Sequence, residues 1–237
     1  MSNKGKVSDF FTSLLGVILG IIFTFGVSAL WQKLEEKKKT REMLILVRHE
    51  LEANKKWAQG QRETLKQDSY AFKKLLEANK KWSSIPEDSL EFYVNCVFNY
   101  ELQLLTTAAW EIFHNSDIIQ KIPNKGLVIR LTDCYSAINQ SYELVMNLYW
   151  DKKIKEIPYE TTLYALLDVV MKDKNSLFYL QTMSESLHKN LLPSIESIID
   201  YSLMLLDEFG DFRYDMDEEY KTFRSFMEAR MDSIRNQ

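Results

Sequence analysis

The 237-residue chain is poor in helix-breaking residues and in the residues that build disulfides or metal sites. It has seven glycines, four prolines, two cysteines and three histidines, and only three of the glycines follow residue 32. These are too few turn formers for an all-β chain, so we expect an all-α fold. Cys96 and Cys134 lie far apart in the sequence, and we expect two buried thiols rather than a disulfide.

Charged residues are absent from positions 10–32, FFTSLLGVILGIIFTFGVSALWQ. In a helix this run measures about 34 Å, which is enough for a hydrocarbon core of about 30 Å. The run therefore predicts a transmembrane helix at 10–32 behind a short tail at 1–9. The small residues Val27, Ser28 and Ala29 have the form of a cleavage site, so a cleaved signal peptide is the alternative.

Positive charge is denser after the apolar run than before it. Only Lys4 and Lys6 precede the run. The predicted membrane-interface residues follow its apolar part: Trp31, Lys33, Lys37, Lys38, Lys39 and Arg41. The positive-inside bias predicts a single-pass membrane protein with the N-terminus outside and the C-terminal domain in the cytoplasm.

Small residues recur at every fourth position of the apolar run: Thr12, Gly16, Gly20, Thr24 and Ser28. Such a ridge lets helix backbones approach closely within lipid, where packing rather than the hydrophobic effect holds helices together. The pattern predicts a transmembrane packing face and a homo-oligomer in the bilayer.

Residues 33–82 predict a basic stalk, since no residue between Gly26 and Gly60 breaks a helix. A heptad seam begins with Leu44, Val47, Leu51, Asn54 and Ala58. Gly60, followed by Thr64 and Gln67 at capping-box spacing, favours an antiparallel hairpin. The alternative is a single rod whose seam continues through Leu65, Phe72, Leu75 and Trp82.

Residues 83–237 predict a cytosolic helical bundle. Ser84 and Glu87 have capping-box spacing around Pro86 and would open its first helix. Further helices are expected at TAAWEIFHN, at 127–149, near 163–170, at 176–208 with an interruption at Pro193, and at 220–234.

The heptapeptide LEANKKW occurs twice, at 51–57 and at 76–82. Lysine beside tryptophan suits the phosphates and bases of a nucleotide or single-stranded nucleic acid. The candidate anionic-ligand residues are Lys55, Lys56, Trp57, Lys80, Lys81 and Trp82. The favoured alternative buries the tryptophans in the core and pairs the lysines with the acidic stretch at 207–219.

Catalytic motifs are not recognisable in the sequence. His49 and Glu50 lack the second histidine of a zinc-protease motif, and no glycine-rich loop could hold a phosphate. The acidic stretch DEFGDFRYDMDEE has its glycine misplaced for a calcium loop. We therefore expect neither an enzyme nor a metal or cofactor.

Two stretches, ALWQKLEEKKKTREMLILVRHELEAN and TTAAWEIFHNSDIIQKI, resemble an uncharacterised family of bacterial single-pass membrane proteins with a helical cytosolic domain. The overall plan is similar to that of membrane effectors in anti-phage defence. The similarity implies a membrane-disrupting or pore-forming effector that its cytosolic domain controls. The alternative is a non-enzymatic membrane-tethered scaffold that binds a partner protein.

Overall fold

The computed structural model describes residues 4–79, 81–100, 104–153 and 162–208, and between residues 4 and 30 it describes the backbone and the side chain of Val17 alone. These ranges contain helices and turns but no strand, which confirms the predicted all-α fold. The helices are α1 Lys4–Ala78, α2 Glu87–Phe98, α3 Ala108–His114, α4 Ile118–Lys121, α5 Lys125–Leu148, α6 Leu163–Lys172, α7 Lys174–Ser186 and α8 Leu192–Asp207.

Helix α1 is a single helix of 75 residues, which corresponds to about 112 Å. It passes through Gly60 without a turn, so the predicted hairpin is wrong, and Thr64 and Gln67 lie inside the helix rather than at a helix start. The physical reason is packing on both sides of the glycine. Ala58 and Gln61 are both buried, and this burial outweighs the roughly 1 kcal/mol by which glycine disfavours a helix.

We expect Gly60→Ala to stabilise the protein by about 0.5–1 kcal/mol, because Gly60 has a negative φ that alanine adopts freely. The free energy of unfolding from urea titration of the full chain tests this. In a hairpin, where Gly60 would occupy a turn with positive φ, the same substitution would destabilise the protein.

The buried seam of α1 runs in strict alternation of three- and four-residue steps from one end of the bundle to the other. Its members are Leu44, Val47, Leu51, Asn54, Ala58, Gln61, Leu65, Asp68, Phe72 and Leu75, all of them buried. They face α2, α3, α7 and α8 of the same chain. Residues 44–78 of the predicted stalk at 33–82 therefore pack against the helices of the predicted bundle at 83–237.

The C-terminal end of α1 is set by Asn79, which has φ 46° and so lies in the left-handed region that ends helices. The predicted capping box of Ser84 and Glu87 does not form. The Ser84 hydroxyl donates instead to the Lys81 carbonyl at 2.7 Å, and Pro86 precedes α2. The start of α2 nevertheless agrees with the predicted helix.

The remaining helices largely follow the predicted pattern. α3, α5 and α6 form where they were expected, and a short helix α4 lies between α3 and α5. Pro193 lies in the first turn of α8, directly after a π-helical segment, Leu187–Leu191, that joins α7 to α8. A wider turn fits a proline, which has no N–H and crowds the carbonyl four residues earlier. Cys96 and Cys134 are free and buried, as predicted.

Within the ranges that the structure describes, no helix is sufficiently long and apolar to cross a bilayer. The predicted span at 10–32 falls mainly on side chains outside that description, as does its packing face of Thr12, Gly16, Gly20, Thr24 and Ser28. The predicted last helix at 220–234 also lies outside the described residues.

Candidate functional site on the central helix

The predicted membrane-interface residues are all exposed on one section of α1. Trp31 is 70% exposed, and the side chains of Lys33, Lys37, Lys38, Lys39 and Arg41 also face solvent. Two of the lysines make surface ion pairs, Lys39 with Glu35 at 3.2 Å and Lys38 with Glu42 at 3.9 Å. This section thus carries cations that are available to a partner or a surface.

The two KKW steps do not present stacking faces. Trp57 and Trp82 are buried, and Trp57 packs against Tyr142 with 5.7 Å between ring centroids. Lys56 and Lys81 are exposed, while Lys80 lies outside the described residues. The two tryptophans of the predicted anionic-ligand site thus pack in the core, as the alternative expects, and neither offers an accessible ring beside its lysines.

Basic side chains of α1 pair with acidic side chains of α8 at regular intervals. Arg48 Nε lies 2.7 Å from Asp207 Oδ1, and Lys55 Nζ lies 2.5 Å from Asp200 Oδ1. Arg62 Nη1 approaches the buried Glu196 Oε1 at 3.6 Å. The cations are spaced by seven residues, so they form one stripe of α1, and the two helices run antiparallel. Lys55 thus has a partner before the acidic stretch at 207–219 with which its pairing was predicted, and residues 209–219 of that stretch lie outside the described residues.

Glu50 on α1 holds the start of α3. Its carboxylate accepts hydrogen bonds from the backbone N–H groups of Ala109 and Trp110 at 2.8 and 3.0 Å. It also accepts from the hydroxyls of Thr106 at 3.3 Å and Tyr135 at 2.8 Å. A carboxylate at the N-terminus of a helix satisfies otherwise unpaired donors and suits the helix dipole.

Asn54 extends this attachment by exchanging two hydrogen bonds with the backbone of Thr106. Its amide nitrogen donates to the Thr106 carbonyl at 2.8 Å, and its side-chain oxygen accepts from the Thr106 N–H at 3.3 Å. Asn54, the predicted polar member of the seam, thus holds the segment before α3 of its own chain. No second copy is needed to satisfy this amide.

A second polar cluster is centred on Asp68. Its Oδ2 accepts from Lys153 Nζ at 2.7 Å and from the Tyr149 hydroxyl, and both charged side chains are buried. The ammonium of Lys153 lies 4.7 Å from the centroid of the Trp150 ring, and Gln61 Oε1 accepts from Trp150 Nε1 at 2.9 Å. The cluster attaches the C-terminal end of α5 and the turn after it to α1.

Burial is the largest influence on the pKa values of Asp68 and of the neighbouring Cys96. Desolvation raises the pKa of Asp68, and the Lys153 ammonium opposes that rise. Desolvation, together with Asp68, raises the pKa of the Cys96 thiol to about 12. Burial also raises the pKa of Cys134 to about 12. Both thiols are therefore protonated at neutral pH and are poor nucleophiles.

A groove of about 900 Å³ lies beside α1 on the N-terminal side of the ion-pair stripe. It is bounded by α1, by Lys121 and Pro123 at the end of α4, and by Leu206 and Asp207 at the end of α8. The α1 residues that line it are Lys33, Glu36, Lys37, Thr40, Arg41, Leu44, Ile45 and Arg48. Neither Glu50 nor Asp68 lines this groove.

Two ion pairs stand at opposite ends of the groove. Lys121 Nζ lies 3.0 Å from Glu36 Oε1, and Arg48 pairs with Asp207. Between them Lys37 and Arg41 are exposed and, among the described residues, make no ion pair. An apolar floor with cations along its edge suits an anionic, partly apolar chain or molecule.

Gln61 and Asp68, which attach the end of α5 to α1, were not predicted from the sequence. The predicted seam passed from Ala58 to Leu65 and from there to Phe72, and so omitted the polar residue between each pair. Extending the alternating three- and four-residue steps of the seam would have identified Gln61 and Asp68, since Asn54, Gln61 and Asp68 are spaced by seven residues. The described residues contain no group of His, Cys, Asp or Glu placed to hold a metal ion.

Comparison with known proteins identifies no relative of this chain. No family model, curated protein or solved structure matches the chain.

Proposed function

We propose that this chain is a single-pass inner-membrane protein that self-associates through its N-terminal helix and acts on the bilayer as an effector under the control of its helical bundle. One observation carries the proposal. Helix α1, Lys4–Ala78, holds both the apolar run at 10–32 and the buried seam of the bundle. A change in the bundle would reach the apolar run through one helix, without an intervening linker.

The charge of α1 supports the proposed orientation. The exposed Trp31 and the cations from Lys33 to Arg41 follow the apolar run directly. Such a flank favours the cytoplasmic side of a membrane. The similarity of plan to anti-phage membrane effectors supports a role in defence against phage.

The burial of the seam supports self-association through the N-terminal helix rather than through the bundle. Residues Leu44 to Leu75 of the seam pack against helices of their own chain. That seam therefore offers no coiled-coil face to a second copy. The ridge of small residues in the apolar run is the remaining α1 face with a pattern for close packing.

We expect Gly16→Ile combined with Gly20→Ile to abolish oligomers and membrane depolarisation together, since the bulkier side chains keep the helix backbones apart. The mass of the assembly in detergent measures the oligomer. A potential-sensitive dye in expressing cells, with or without phage infection, measures the membrane potential. Val17→Ile combined with Ile21→Leu is the matched control, and it should retain both.

A membrane-tethered scaffold is the competing function. A tether would leave the membrane potential unchanged under infection even in the wild-type chain. That result would overturn the effector proposal, and an unchanged oligomer in the glycine variant would remove the ridge from it.

A further inference from the structure

We propose that the acidic segment at 209–219 of this chain docks in the basic groove of its own bundle. The groove is the space beside α1 lined by Lys37, Arg41 and Ile45 together with the ends of α4 and α8. The segment itself lies outside the described residues, and its sequence is FGDFRYDMDEE. The proposal does not depend on the proposed membrane function.

The direction of the chain is the first argument. The ion pairs run antiparallel, from Arg62 with Glu196 to Arg48 with Asp207. At Asp207 the chain reaches the end of the groove while heading toward the N-terminal section of α1. Arg41 is the next position of the same seven-residue stripe, and continuation of this course would bring the residues after Glu208 to it.

The charges of the groove and of the segment are complementary. The groove is lined by five cations and two acidic residues, which gives a net charge of +3. The segment has five acidic residues and Arg213, which gives −4. The two acidic groove residues already pair with Lys121 and Arg48, so Lys33, Lys37 and Arg41 are the groove cations that no carboxylate of the described residues pairs with.

The length and the polarity of the segment at 209–219 also match those of the groove. Lys33 and Arg48 are about 22 Å apart along the helix, and eleven extended residues reach about 36 Å. The segment carries Phe209, Phe212 and Tyr214 in its first half and most of its acidic residues after them. Aromatic rings fit the apolar floor, and carboxylates fit the cations at its edge.

A photo-cross-linking residue at position 45 tests the contact directly. The full chain with benzoylphenylalanine in place of Ile45, purified in detergent, should give a cross-link to residues 209–219 at the mass of one subunit. The matched control carries the probe at Leu46, which is exposed but does not line the groove, and it should not label that segment.

Charge reversal in the groove is the second test of this contact. Lys37→Glu combined with Arg41→Glu should reduce the yield of this cross-link about fivefold, because two ion pairs become repulsions. Lys38→Glu combined with Lys39→Glu should leave the yield unchanged, since these lysines do not line the groove. Adding Asp211→Lys and Asp215→Lys to the reversed groove should restore the yield.

Three outcomes would overturn the proposal. The first is a cross-link from position 45 to another region of the chain, and the second is a cross-link to a lipid or to a second copy. The third is a cross-link yield that does not change when the charges at positions 37 and 41 are reversed. None of these readouts depends on membrane depolarisation, so failure here is distinguishable from failure of the effector function.

Discussion

Lys153→Met is expected to lower the free energy of unfolding by about 3–5 kcal/mol at pH 7, because it leaves the Asp68 carboxylate buried without its cation. Wild-type Lys153 lies 2.7 Å from that carboxylate, and both side chains are buried. Urea titration of the full chain, followed by tryptophan emission, measures the loss. Asp68→Asn combined with Lys153→Met should lose less, since the unpaired charge is then gone.

The deficit of the Lys153→Met variant should shrink as the pH falls. Burial raises the pKa of Asp68, and Lys153 is the group that most opposes this rise, so the variant has a still higher pKa at Asp68. Above that pKa the carboxylate is charged and the destabilisation is complete; below it, protonation removes the uncompensated charge. A deficit that is equal at pH 7.5 and pH 5 would contradict this account.

Glu50→Ala should cost roughly 3 kcal/mol or more, because four donors lose one acceptor at a buried site. The carboxylate accepts from two backbone N–H groups of α3 and from two hydroxyls, one of them on Tyr135 of α5. Urea titration measures the global loss. Amide hydrogen exchange should show the largest loss of protection at Ala109 and Trp110.

Glu52→Ala is the matched control for Glu50→Ala. Glu52 pairs with Arg48 and His49 at the surface of the same helix. We expect it to cost under about 0.5 kcal/mol, as is usual for exposed ion pairs. If both glutamate variants lost equal stability, the attachment of α3 by Glu50 would not be what stabilises this end of the bundle.

The repeated heptapeptide shows what local sequence can and cannot predict in this chain. Asn54 and Asn79 occupy the same position in the two copies of LEANKKW. The first is buried in mid-helix and binds Thr106, whereas the second takes φ 46° and ends α1. Identical local propensity yields opposite outcomes because the contacts that decide between them come from distant regions of the chain.

The apolar periodicity predicted the helices well, and the polar contacts were harder to predict. The heptad steps predicted the burial of Leu44 and Phe72, because burial follows the helical repeat. That Glu50 meets α3, or Asp68 meets Lys153, depends on partners 60 and 85 residues away. A single sequence contains no signal for such pairings. The glycine at position 60 misled the prediction because a turn residue is a weak preference beside packing on both sides.

The length of α1 gives the bundle mechanical leverage. From Leu44, where the packed seam begins, to Phe10 the helix extends 34 residues, which is about 51 Å. Pivoting α1 by about five degrees about the seam would sweep its far end through about 4 Å, nearly half the roughly 8–10 Å that separates packed helix axes. In the oligomer proposed above, a small repacking of α8 would thus become, at the other end of the helix, a displacement comparable with a large part of the spacing between packed helices.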